Sequence, residues 1–354
     1  MSLLDSYSSL YTEYLARFGL PSPSHLEKYG GYYTAGAAVA LGYYALRSWA
    51  AGGRVAKTDL KKKLTGRIVL ITGANTGIGY ETALQLAKQG AHVYIACRPS
   101  KKTDDAVSSI RKKSGNSNIF AEALDLANLK SVRSLAERWA KHGKPIDLLI
   151  NNAGVMALPQ KTFTVDGNEM QIGTNHLGHF LLTELLLEYV RKAASQHGSA
   201  RIINVSSRAH RFGYVIPKDL NYDQREYGPM EVYGQSKLAN ILYSIHLAKQ
   251  LRGSKITVNA VHPGMVRTEL GRSIGDLRFV AFLVVLNVVG ILKSPWEGAQ
   301  TTLHVALSDE CESKVTGEYF AECKVARITP KDGQILDSRL ETDFIQESRK
   351  LVGI

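Results

Sequence analysis

Tyr233 and Lys237 stand four residues apart in Tyr233-Gly-Gln-Ser-Lys237. On a helix, positions i and i+4 share a face, which sets the ammonium beside the phenol. A neighbouring positive charge lowers a phenol pKa from about 10 toward neutrality. A phenol so tuned can give a proton to a carbonyl oxygen, or take one from an alcohol, at working pH. By itself Tyr-x3-Lys is common and carries little weight. Here it follows Asn204-Val-Ser206-Ser207, where a β-branched run ends in hydroxyls. A hydroxyl at the carboxyl end of a strand can donate to the same carbonyl oxygen and stabilise the charge that builds there. Asn175, opening another long helical stretch, could hold a water in a proton relay.

A second constellation lies upstream. Arg67-Ile-Val-Leu-Ile-Thr72 runs into Gly73-Ala-Asn75-Thr76-Gly77-Ile78-Gly79 and then a helical pattern. Glycines there permit a tight turn and let backbone N–H groups approach a pyrophosphate at a helix N-terminus. The strand before and the helix after are the context this motif needs. The second strand ends at Cys97-Arg98, with no acid to accept from a ribose 2′-OH. A guanidinium suits a 2′-phosphate, so the expected cofactor is NADP(H) rather than NAD(H). Lys101 or Lys102 is a second candidate for that phosphate. The third strand ends at Asp125-Leu126, placed to hold an adenine ring, and the fourth runs into Asn151-Asn152-Ala153-Gly154. A small-residue turn at a strand's carboxyl end lets a cofactor pass close to the backbone.

The elements that must position these residues follow from the pattern. Short β-branched runs (67–72, 92–97, 119–124, 146–150, 201–205 and 255–260) alternate with longer amphipathic stretches, among them 78–89, 131–142, 175–191 and 233–252. Such alternation means βαβ units and a parallel sheet covered on both faces. The fold class expected is α/β: a single doubly wound Rossmann-type domain over residues 66–354 with a mostly parallel, seven-stranded sheet. The chain of 354 residues is 44% apolar and 21% charged, which excludes a disordered chain. Three cysteines, Cys97, Cys311 and Cys323, exclude a disulfide framework and a cysteine-rich zinc module.

The net charge of +12 invites a nucleic-acid reading. Its distribution argues otherwise. Seven bases and one acid lie between Arg47 and Arg67, directly after eighteen uncharged residues, Tyr29 to Leu46. A helix of that length measures about 27 Å, enough to cross a bilayer core, with tyrosines near both ends. A polar extension (1–28), a membrane-anchor helix (29–47) and a basic linker (48–65) are therefore expected. A helix lying in the membrane interface or packed on the protein is the alternative. A spanning anchor would leave the rest of the chain facing the cytosol or matrix, in the endoplasmic reticulum first and the mitochondrial inner membrane second.

Together these motifs resemble the short-chain dehydrogenase/reductase family. The resemblance runs from about Leu64 to the C-terminus and rests on the Thr72–Gly79 turn, Asn151-Asn-Ala-Gly154, Asn175, Ser207, Tyr233-x3-Lys237 and His262-Pro263-Gly264. It implies a catalytic set in which Tyr233 is the general acid/base. Lys237 tunes it and holds the nicotinamide ribose, Ser207 orients the substrate oxygen, and Asn175 supports the relay. Ser206 competes for the serine role, but Ser207-x-Ala-His fits the family's register. Pro263, Gly264 and Thr268 would border the nicotinamide. Finer features resemble the membrane-anchored retinol dehydrogenase/retinal reductase branch: Ile95-Ala-Cys-Arg98, Asn175-His-Leu-Gly-His-Phe180 and His262-Pro-Gly-Met-Val-Arg-Thr-Glu-Leu-Gly271. That branch implies NADP(H) and an alcohol/aldehyde substrate such as retinol/retinal, with a sterol, polyprenyl or fatty aldehyde/ketone as the alternative; reduction is the favoured direction because cells keep NADP(H) reduced. Family members commonly form dimers or tetramers, so a homo-oligomer is one expectation.

The stretch from Phe279 to Leu292 carries no charge over fourteen residues, too few to span a bilayer. It lies within 268–295, where the fold places a substrate lid. An apolar lid implies an apolar small-molecule substrate, and it could also dip into a lipid membrane; a core helix or oligomer contact is the plainer reading. His176 and His179 have i, i+3 spacing but no carboxylate or cysteine pattern nearby, so no metal is expected. No nucleic-acid partner and no nucleotide hydrolysis are supported.

Overall fold

The computed structural model describes residues 21–270 and 277–354. The chain divides into two compact units, Met1–Ala51 and Gly52–Ile354. Strand and helix labels below cover strands and the longer helices.

The second unit is built on eight strands among the described residues: β1 (Ile68–Thr72), β2 (His92–Cys97), β3 (Ile119–Ala123), β4 (Leu148–Asn151), β5 (Ala200–Val205), β6 (Ile256–His262), β7 (Tyr319–Ala321) and β8 (Lys324–Val325). Their order is β3-β2-β1-β4-β5-β6-β7-β8. All neighbours pair parallel except β7 with β8. The expected seven strands are thus corrected to eight. The additional strand is two exposed residues closing a hairpin, too short to leave a period in the sequence.

Every residue of β1 is buried, as a strand covered on both faces requires. Alternate side chains feed two cores. Leu70, Leu149 and Ile202 join Trp139, Phe180 and Tyr243 on one face. Val69, Ile71, Ile150 and Ile203 join Ala83, Ile110 and Leu303 on the other. The first face is covered by α4 (Leu129–His142), α5 (Gly178–His197), α6 (Pro229–Gln250) and α9 (Ser338–Val352). The second is covered by α2 (Gly77–Lys88), α3 (Lys101–Ser114) and α8 (Pro295–Leu307). Helix ends follow local chemistry. Asn128 caps α4 through its side chain, and Gly198 closes α5 with φ of +84°.

Trp139 is 1% exposed, donates its indole N–H to Lys144 O at 3.0 Å, and meets Tyr94 edge-on at 4.9 Å. Trp139→Ala should therefore cost about 3–5 kcal/mol of unfolding free energy. Urea denaturation followed by circular dichroism checks this; a cost below about 1 kcal/mol would mean that the core collapses to fill the space.

The N-terminal unit contains α1 (Pro23–Ala51), 29 residues long. It encloses the expected 29–47 helix and exposes Tyr32, Val39, Leu41, Tyr43, Tyr44 and Trp49. No helix among the described residues is long and apolar enough to cross a membrane. The structure therefore does not show the expected spanning anchor. Its uncharged stretch is diluted by Gly30, Gly31, Gly36 and Gly42 and by polar tyrosine hydroxyls. Residues 1–20 of the expected polar extension lie outside the described residues. Within the second unit, much of the basic stretch is packed rather than free. Val55 and Asp59 are buried, Val55 N–H donates to Gln300 Oε1 at 3.2 Å, and Lys62 Nζ donates to Leu307 O at 2.5 Å. Of the lid region, residues 271–276 lie outside the described residues, while Leu277–Val288 forms α7.

Candidate active site

The sequence-predicted residues gather along one edge of the sheet, the carboxyl ends of β1 to β6, which is where open α/β sheets bind ligands. Gly73, with φ of +67°, begins the turn after β1, and a Cβ there would lie 2.8 Å from Ala153 Cα. Gly77, with φ of +59°, would carry a Cβ 3.1 Å from the Thr268 methyl. Residues of the first turn, of the loop after β4 and of the loop after β6 are therefore in direct contact. Gly79 is crowded by Asn152 Nδ2 and Gly73 O, which lets α2 start close against the strand. Thr76 caps α2 without a side-chain cap hydrogen bond. Its hydroxyl turns to Glu269 instead, so the first-turn amides receive no side-chain cap from Thr76. Such a helix N-terminus has the donor set a pyrophosphate requires.

The flanking candidates take distinct positions. Asn75 Nδ2 donates to Thr103 Oγ1 at 3.2 Å, bracing the glycine turn on α3. Arg98 is exposed just past β2. Of the two alternatives to it, Lys101 is paired with Asp105 at 2.8 Å and Lys102 with Glu269. Asp125 Oδ1 accepts Ala127 N–H at 3.0 Å, shaping the turn after β3, and Leu126 is buried behind it. Asn152 Nδ2 donates to Thr72 O at 2.8 Å. Gly264, with φ of +90°, follows Pro263 and lies against the aliphatic chain of Lys293.

At the chemical end, Tyr233 is 3% exposed, and the Ser207 hydroxyl works against burial in setting its pKa. Ser207 Oγ also accepts Ala209 N–H at 3.1 Å. The rival, Ser206, is buried and donates to Lys237 O at 2.7 Å, away from the phenol. Lys237 Nζ donates to Val205 O at 3.0 Å and lies 5.7 Å from the Tyr233 ring centroid. Asn175 lies in a π-helical turn, Gly173–Leu177, ahead of α5 rather than in a regular helix. Its Oδ1 accepts Val155 N–H at 2.8 Å, and its Nδ2 donates to Val155 O and Ser236 Oγ, each at 2.9 Å. Both amide hydrogens are thereby spent on protein. A Cβ on Gly154 would stand 3.0 Å from Asn175 Oδ1 and 3.4 Å from Lys237 Nζ, so glycine opens this corner.

The expectation that Lys237 alone brings the phenol toward neutrality does not hold in this geometry. Burial pushes Tyr233 up to about 12, with the Ser207 hydrogen bond opposing it, and burial pulls Lys237 down to about 8. The ammonium donates to the Val205 carbonyl, and desolvation dominates both shifts. His179 is lowered to about 4 and His262 to about 3, again chiefly by burial. His262 Nδ1 accepts Arg208 N–H at 3.1 Å and so fixes the loop that carries Ser207.

Sequence reasoning missed the supporting shell. Ser236, inside the Tyr233–Lys237 motif, donates to Tyr233 O at 2.8 Å and receives Asn175. Asn151 reaches Thr183 and Asn204, and Asn204 reaches Ser244. The available signal was a helix, α6, with polar residues at positions that must be buried on every side. His176 and His179, adjacent in spacing, go to different partners. His176 Nε2 meets Ser348 Oγ at 3.0 Å among aromatic rings, whereas His179 meets Thr72 and Asn175.

The model of the short chain dehydrogenase family matches residues 67–277. Retinol dehydrogenase 12 of Homo sapiens is 46% identical over 287 residues, covering 81% of this chain and 86% of that protein. Retinol dehydrogenase 13 of Mus musculus is 42% identical over 315 residues, covering 88% and 91%. Among solved structures, the RhlG/NADP active-site complex of Pseudomonas aeruginosa superposes with a TM-score of 0.57 at 28% identity, covering 73% of this chain and 94% of that one. With its glycine turn, its Tyr–Lys helix and these likenesses, the chain belongs to the short-chain dehydrogenase/reductase family, in its retinol dehydrogenase branch, and is an oxidoreductase that uses a nicotinamide cofactor.

Proposed function

We propose that this protein interconverts an apolar alcohol and its aldehyde with NADP(H), retinol/retinal being the first pair to test and reduction the favoured direction. The observation that carries the reading is the convergence of Tyr233, Ser207 and Lys237 next to Gly154, whose neighbour Ala153 packs against Gly73. The residues present suit the cofactor. Gly73, Asn75, Thr76, Gly77, Ile78 and Gly79 offer the pyrophosphate cradle, and Arg98 the 2′-phosphate contact. Asp125 and Leu126 border the adenine; Asn152, Ala153, Gly154, Pro263, Gly264 and Thr268 line the nicotinamide half. A reduced nicotinamide held there supplies a hydride.

The chain's own residues do the rest. The Ser207 hydroxyl steadies the substrate oxygen, and the Tyr233 phenol, kept protonated by burial, donates to that oxygen as negative charge develops on it. Lys237 holds the ribose with the hydrogens not given to Val205, and its charge stabilises the phenolate left behind. Asn175 fixes the relay wall. The apolar lid supports a substrate without a carboxylate or phosphate, since Val284, Val285 and Val288 are exposed and the segment carries no charge. The aromatic surface of α1 supports contact with a lipid membrane surface rather than a span.

Full-length protein in detergent, assayed by loss of NADPH absorbance, should reduce all-trans-retinal faster than a medium-chain aldehyde or a ketosteroid, and should be slower with NADH. Turnover of only the other carbonyls would keep the chemistry and overturn the substrate. NADPH binding with no turnover across the panel would favour a membrane-tethered binding protein that keeps the fold without catalysis.

A further inference from the structure

Thr72, at the end of β1, is fully buried. Its hydroxyl oxygen accepts two amides, Asn152 N–H at 2.9 Å and Ala153 N–H at 3.0 Å. A hydroxyl has two acceptor sites and one hydrogen. With both acceptor sites filled, the hydrogen must go to the remaining neighbour, His179 Nε2, 2.8 Å away. That assignment fixes the imidazole. Nε2 is the acceptor, so Nδ1 carries the ring hydrogen, and it donates to Asn175 O at 2.9 Å. The ring is 2% exposed and neutral at working pH, as one donor and one acceptor require.

One imidazole thus joins two parts of the site that belong to different elements. On one side is the Asn152-Ala153 turn, which is held onto the glycine loop. On the other is the backbone of Asn175 within the π-helical turn, whose side chain braces Val155 and Ser236. We infer that His179 is a positioning residue with two separable functions: through Thr72 it sets the turn on which the cofactor rests, and through the Asn175 carbonyl it sets the proton-relay wall beside Tyr233 and Lys237. The inference rests on the nicotinamide-dependent reading of this site. His176, three residues earlier, forms no such bridge; it packs against Phe180, Tyr243 and Phe344.

The two arms can be cut one at a time. The amide of Asn places an N–H donor near the position of Nδ1, and the amide of Gln places an acceptor near that of Nε2. His179→Asn keeps the Asn175 arm and releases Thr72; His179→Gln does the reverse. Full-length variants are titrated with NADPH by fluorescence, the binding stoichiometry counting folded sites, and then assayed at saturating cofactor. Loss of one buried neutral hydrogen bond corresponds to roughly a 3–10-fold effect. His179→Asn should weaken NADPH binding by about that factor and hold kcat per site within about twofold. His179→Gln should hold NADPH affinity and lower kcat by about 3–10-fold. A merely structural histidine gives parallel losses in both variants, or none in either, and either pattern overturns the inference. Wild-type protein that turns over no carbonyl would sink the enzymatic reading, and the NADPH affinities of the two variants alone would then decide the Thr72 arm. Affinities that do not separate overturn it.

Discussion

Tyr233→Phe should lower kcat by about 10²–10⁴-fold while NADPH affinity stays within about threefold. The substitution removes one oxygen from a side chain that is 3% exposed and leaves the ring packed. The lost group is the phenol proposed to give its proton to the substrate oxygen, beside the Ser207 hydroxyl. Without it the alkoxide oxygen must find its proton from water, in a corner lined by Asn175 and Lys237 beside Gly154. Cofactor-contacting backbone is untouched, so binding persists. A pH series on the wild type sharpens the test. Lys237 is lowered to about 8, so it is charged below that pH and neutral above it. Turnover in the reducing direction should fall as pH rises through about 8, because the phenolate then loses its stabilising charge. A Tyr233→Phe enzyme within about tenfold of wild type would remove the phenol from the mechanism.

Arg98→Asp should invert the choice of cofactor, weakening NADPH and strengthening NADH for a combined change in the kcat/KM ratio of about 100-fold or more. Hydrogen bonds to charged groups are worth about 1.5–3 kcal/mol, and reversal adds repulsion between the carboxylate and a 2′-phosphate. The same carboxylate can accept from an unphosphorylated ribose 2′-OH, which accounts for the gain with NADH. Arg98 is exposed past the carboxyl end of β2 and carries no structural duty in the core, so folding should be unaffected. Steady-state kinetics with both cofactors check this. An unchanged ratio would move the 2′-phosphate contact to Lys102, which is paired with Glu269.

Much of the site was legible because its chemistry is tied to short sequence distance. Gly73 to Gly79 must be small where a backbone turn meets a helix N-terminus. Tyr233 and Lys237 must be four apart to share a helical face. Inner strands such as β1 and β6 were legible because strands buried on both faces are continuous apolar runs, while the edge strand β3 shows the alternation of a half-buried one. The hairpin of β7 and β8 was not, since it depends on Glu322 and Cys323 taking positive φ beside a two-residue strand. The π-helical turn at Asn175 was hidden for a related reason: its hydrogen-bond register leaves no mark on apolar periodicity.

The sequence by itself determined the fold class, and it singled out the strand–turn–helix proposed to receive a dinucleotide and the phenol, ammonium and hydroxyl proposed to act on a carbonyl. These are properties of residue type and local spacing, which act over one or two helical turns. Tertiary structure alone decided which of Ser206 and Ser207 faces the phenol, that burial rather than the neighbouring lysine sets the resting state of Tyr233, and that His179 lies between Thr72 and Asn175. Those outcomes depend on desolvation and on hydrogen bonds between residues as far as 107 positions apart, and such groups acquire their partners only when the sheet edge and its helices close around them.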